Sequence, residues 1–76
     1  MNLSAHPRIS RNPAIMMGKP VIAGTRVTVE AVLEQFAAGA SLAWVLEAYP
    51  QLNEEDVRAA IAFAAACVAD AQNAAA

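Results

Sequence analysis

Cysteine and histidine are almost missing from this 76-residue chain, which has only Cys67 and His6. A single cysteine excludes a disulfide within the chain, and with one histidine no Cys/His metal set can be assembled. Long apolar runs are also missing. The most apolar stretch, residues 59–69, is dominated by alanine, is too short to span a bilayer and is followed by Asp70. The opening NLSAHPRIS has no apolar run of signal-peptide length, so a cytoplasmic location and no membrane role are expected.

Nucleotide motifs are absent as well. GKPVIAGTRVTV, residues 18–29, begins with a Gly-Lys pair, but Pro13 stands where a phosphate-binding loop needs its first glycine and Pro20 where it needs a hydroxyl. No G-x-G-x-x-G occurs. Acid-base catalysis needs a histidine or paired carboxylates in a cleft, and a nucleophile needs a base beside it. His6 falls in a lead segment expected to be disordered, and Cys67 reads as a buried structural thiol on a helix flank. Glu54, Glu55 and Asp56 read as helix-start charges rather than a metal site. No enzyme activity, cofactor or metal is expected.

What the chain does have is alanine, 20 residues of it, within a hydrophobic content of 58%. Alanine adds helix propensity more than core volume. A chain this short builds a marginal core, and with disulfide and metal unavailable, oligomerisation is the remaining way to strengthen it.

Charge is divided along the chain. Residues 1–29 contain Arg8, Arg11, Lys19 and Arg26 and no acid, whereas residues 30–76 set seven acids against Arg58 alone, a net of −6. Such a division means two faces with different partners, one segment laid against the other, or simple solvation and mutual screening.

The pattern predicts a mainly α fold, with a short N-terminal β-segment followed by a three-helix, helix-turn-helix-like part in a single domain. Residues 8–29 form the extended or β arm, with β-prone runs at Val21-Ile22 and Arg26–Val29 bounded by Pro and Gly. Within GKPVIAGTRVTV, Pro20 starts the extended run and Gly24-Thr25 allows a turn with positive φ, so this stretch reads first as a folding device. Its other reading is a basic ribbon in which Lys19 and Arg26 contact nucleic acid or an acidic protein.

The helical part covers residues 29–70, and the tail 71–76 is expected to fray. Thr28 can N-cap a first helix, about 29–38, with apolar Val29, Val32, Leu33, Phe36 and Ala37 and a C-terminal Gly39. Ser41 can cap a second, with Leu42, Val45, Leu46 and Tyr49 on one face and Pro50 ending it. Asn53 can cap a third, whose apolar stripe is expected at Val57, Ala60, Ile61, Ala64 and Val68.

Trp44 points almost opposite the apolar face of the second helix, at about 100° per residue. An exposed indole is a good partner anchor, unless the N-terminal arm covers it. Phe63, at the edge of the third stripe, suits a dimer interface or a second layer of core. Partner contact is therefore expected at Trp44, Glu47, Glu54, Glu55 and Phe63. For DNA, the usual recognition helix would start at Asn53-Glu54-Glu55-Asp56, where three carboxylates repel phosphate. A nucleic-acid surface, if formed, is expected at Arg8, Arg11, Lys19 and Arg26.

Taken together, GKPVIAGTRVTV, GASLAWVLEAYPQL and NEEDVRAAIAFA resemble the small bacterial proteins grouped as domain-of-unknown-function family 433 (DUF433). The likeness covers about residues 8–66, and its most specific pieces are Gly18–Ile22, Gly24-Thr25-Arg26, Tyr49-Pro50 with Leu52, and Glu55-Asp56-Val57. The resemblance implies a β-segment before a helix-turn-helix-like domain, often dimeric. It also implies similarity to type II antitoxins that bind and silence PIN-like ribonuclease toxins, in some cases repressing their own operon. Three positions depart from the pattern: Met17 where glycine is common, Ala23 where a base is common, and Ala43-Trp44 where an acidic pair is common. The missing base weakens a DNA role, and Trp44 points to a more apolar partner surface.

The resulting expectation is a homodimeric antitoxin that binds a PIN-like nuclease toxin, with operator DNA as an additional ligand. The alternatives are a DNA-binding transcriptional repressor acting through the basic arm and a small homo-oligomerisation module without a toxin partner.

Overall fold

The computed structural model describes the backbone of residues 6–75 and the side chains of residues 6–72. In chain order, β1 is Ile9–Ser10, a left-handed turn spans Met16–Gly18, and β2 is Val21–Ile22; α1 is Val29–Ala37, α2 is Leu42–Ala48 and α3 is Glu54–Ala75. The fold is mainly α, as expected. The helix over Glu54–Ala75 runs through most of the tail expected to fray.

The arm closes on itself within one chain. β1 pairs antiparallel with β2, placing Ile9 opposite Ile22, and Val21 forms a further bridge to Thr28. The strand at Ile9–Ser10 is an addition to the expected elements, because two residues are too few to show periodicity. The Ile22–Thr25 turn is closed by the Thr25 N–H on the Ile22 carbonyl at 3.0 Å, with Gly24 at φ +80°. The Thr25 hydroxyl donates to the same carbonyl and accepts from the Val27 N–H. GKPVIAGTRVTV therefore works as a folding device: its turn and bridge bury Val21, Ile22, Val27 and Val29 beneath the helices. His6, expected in a disordered lead, instead accepts the Ile9 N–H on its carbonyl and the Arg8 N–H on Nδ1, which starts the arm with a turn. Residues 1–5 of that lead lie outside the described residues.

Each helix begins with the cap expected from the sequence. Thr28 Oγ1 accepts the Ala31 N–H at 2.9 Å, and Ser41 Oγ accepts the Trp44 N–H at 3.1 Å. Asn53 and Asp56 form a reciprocal pair: the Asp56 N–H donates to Asn53 Oδ1 at 2.8 Å and the Asn53 N–H donates to Asp56 Oδ2 at 3.0 Å. Such a box satisfies two backbone donors that a helix start leaves without partners. α1 ends in a Schellman motif, with Ala40 N–H on the Gln35 carbonyl, Gly39 N–H on the Phe36 carbonyl and Gly39 at φ +97°.

The core gathers one layer from each part: Ile9 and Ile22 from the strands, Val29 and Val32 from α1, Val45 from α2, Leu52 from the turn, and Val57, Ala60 and Phe63 from α3. The buried stripe of α3 differs from the expected one. Val57 and Ala60 are inside, but Ile61 is 45% and Val68 58% exposed, while Ala59 and Phe63 are buried. Phe63 contributes the largest apolar surface on α3, and turning the helix to bury it carries Ile61 and Val68 outward. Among the described residues, no helix is long and apolar enough to cross a membrane.

Candidate partner-binding surface

The two charged parts of the chain meet. Arg8, on the arm, donates from Nη1 to Asp56 Oδ1 at 3.0 Å and from Nη2 to Glu55 Oε2 at 2.6 Å. Asp56 thus holds the α3 cap with one oxygen and the arm with the other. Its side chain is 13% exposed, so this contact is better shielded from water than the Glu55 contact, where Glu55 is 73% exposed. Lys19 pairs with Glu30 at 3.0 Å across the entrance to α1. Arg11 lies over the Phe63 ring, 5.6 Å from its centroid. Of the four bases expected to form a nucleic-acid surface, only Arg26 is without an ion pair or ring contact among the described residues. One segment laid against the other, with partial mutual neutralisation, is the reading of the charge division that the structure supports.

The expected partner residues fall into three environments. Trp44 is 48% exposed on α2, over a shallow depression formed by Gln35 and the Ala38–Ser41 turn. The arm packs against α3, and among the described residues the indole stays 48% exposed. Glu47, one turn further along α2, is also exposed, and residues three apart on a helix share a face. Glu54 and Glu55 are exposed at the start of α3, where Glu54 accepts from Arg58 at 2.6 Å and Glu55 from Arg8. Phe63 does not belong with them. It is 4% exposed and seated in the core, and the little surface it shows lies in a trough between α1 and α3.

A surface that periodicity did not single out lies between α1 and α3. It is an open trough of about 510 Å³, walled on one side by Val29, Leu33 and Ala37 and on the other by Phe63, Ala64, Cys67 and Val68. Pro20 and Lys19 close one end, and Glu30 and Glu34 stand on the α1 rim. Cys67, read as a buried thiol, is half-buried in this wall. The pattern held no separate signal for the trough, because Val29, Val32, Leu33, Phe36 and Ala37 form the ordinary core-facing stripe of a helix.

These features define a small, mainly helical domain on a two-stranded base, with a tight turn joining its second and third helices. Comparison places it more narrowly. The family described as "Protein of unknown function (DUF433)" matches residues 9–64, and the chain belongs to that family. It is also similar to the uncharacterized protein y4eO of Sinorhizobium fredii (strain NBRC 101917 / NGR234), with 41% identity over 63 residues. That match takes in 83% of this chain and 28% of the relative, so the chain spans about a quarter of the relative's length. No solved structure matches.

Proposed function

We propose that this chain is a non-enzymatic antitoxin of a type II pair, binding and silencing a PIN-like ribonuclease toxin through its helical surface. The observation that carries the reading is Trp44, a half-exposed indole flanked by exposed Glu47 on a helix whose other large side chains turn inward. An aromatic anchor beside carboxylates suits a partner whose surface is basic because it handles RNA. Glu54 and Glu55, at the start of α3, offer further exposed carboxylates; their present ion pairs are solvent-exposed and cost little to exchange for a partner's cation. The resemblance of the family to antitoxins supports the same reading. Homodimerisation accompanies it.

The repressor alternative is less favoured, because Arg8 is held by Asp56, whose side chain is only 13% exposed, and would have to leave it to meet phosphate. The test is a tagged pull-down of the protein expressed from its native locus, with the copurified chains identified by mass. A stoichiometric PIN-like nuclease whose RNA cleavage falls as this protein is added supports the reading, and Trp44→Ala should then weaken the complex by about tenfold or more. Recovery of the chain alone, or with DNA, overturns it.

A further inference from the structure

The trough between α1 and α3 is separate from the Trp44 surface, and its walls have a definite form. Val29, Leu33 and Ala37 are spaced i, i+4, i+8 along α1, while Phe63 and Cys67, and Ala64 and Val68, form i, i+4 pairs on α3. Rows of this spacing are the ridges into which a further helix packs, and the small Ala37 and Ala64 leave room for its backbone to come close. The lining is apolar except at the rim. There Glu30 is engaged by Lys19, whereas Glu34 is exposed and makes no ion pair among the described residues.

The rim charge selects the occupant. A second copy of the chain would bring the exposed apolar side of its α3, at Ile61, Ala65, Val68 and Ala69. That helix has no Lys or Arg after Arg58, so it offers no cation to Glu34. A helix carrying leucine-like anchors one turn apart and a flanking Lys or Arg satisfies both the walls and the rim. We infer that the α1–α3 trough is the seat for a basic, amphipathic helix of a partner protein. This inference rests on the antitoxin reading only in assigning that helix to the nuclease; the groove and its charge preference stand apart from it.

The experiment uses two synthetic amphipathic peptides of about four helical turns. Both carry leucines at helical spacing, and they differ only in having lysines or glutamates on the flanks. Each is titrated into the full chain while the methyl resonances of Val29, Leu33 and Val68 are followed by NMR. The lysine peptide should shift those methyls and bind about tenfold tighter than the glutamate peptide. Glu34→Lys should remove or reverse that preference. Ala37→Gln, at an exposed helix position, should block both peptides while leaving the helical circular dichroism unchanged.

Equal affinity for the two peptides, no methyl shifts at about 1 mM peptide, or shifts confined to Ile61 would each overturn the inference. Methyl positions that already change with protein concentration in the absence of peptide, and cease to do so in Ala37→Gln, would give the trough to a second copy instead. If a copurified nuclease is silenced equally well by Glu34→Lys and Ala37→Gln but escapes Trp44→Ala, the groove inference falls and the antitoxin reading stands. If the lysine peptide binds as described and no nuclease is recovered, the reverse holds.

Discussion

Trp44 leaves nearly half of its surface in solvent although α2 has an inner face ready to bury an aromatic. Its backbone N–H serves the Ser41 cap, which any residue at that position could do. Removing the indole should therefore matter little to the isolated fold, and Trp44→Ala is expected to change the urea unfolding free energy by less than about 0.5–1 kcal/mol. Measured beside partner binding, that outcome separates a surface anchor from a core residue. Met17 is a second residue whose side chain does little for the fold. It is 88% exposed, yet its backbone sits at φ +57° between Met16 at +48° and Gly18 at +82°. A side chain in that region is strained, whereas glycine is not, although glycine loses more entropy on folding. Met17→Gly should be neutral or stabilising by up to about 1 kcal/mol, read as an unchanged or raised melting temperature. A clear loss of stability would show that Met17 packs against something in solution.

Among the elements, α3 is the longest helix and the one most dependent on its start. Its capping box and the Arg8 contact converge on Asp56, so the cap also fastens the arm. Asn53→Ala removes one acceptor of that box while leaving the Arg8 contact in place. It should cost about 1 kcal/mol, within the usual range for an N-cap, and should increase amide exchange in the first turn of α3 before the rest of the chain. The three caps were legible in the sequence because Thr28, Ser41 and Asn53 each precede an apolar-periodic run, and capping is a local interaction. β1 was not legible, because its two residues pair with β2 across the intervening residues 11–20 and only that pairing makes them a strand.

For the whole molecule, stability rests on a core with few large side chains. A chain of this length is expected to be stable by about 4–11 kcal/mol. Phe63 packs in that core beneath the Arg11 guanidinium, so Phe63→Ala should cost about 3–5 kcal/mol, a large share of that stability. Ile61→Ala, on the open side of the same helix, should cost under about 1 kcal/mol. Denaturant melts of the two variants check the assignment directly. Equal costs would mean that α3 is rotated toward the stripe expected from the pattern, or that a second copy covers Ile61.

Much of the candidate surface was legible too, but not its grouping. Exposed Trp44 follows from its angle on α2, a local geometric fact. The fate of the charges does not follow in that way, since Arg8 meets Glu55 and Asp56 across sequence separations of 47 and 48 residues. Composition, helix boundaries, caps, the Gly24 and Gly39 turns and the family likeness are set by the sequence itself, because each depends on neighbours within a few residues. Which side of α3 faces inward, the withdrawal of Phe63 from the surface, the pairing of acids with bases and the trough between α1 and α3 were decided by the tertiary structure. They depend on competition among side chains for one small core, and that competition is resolved only when every element is in place.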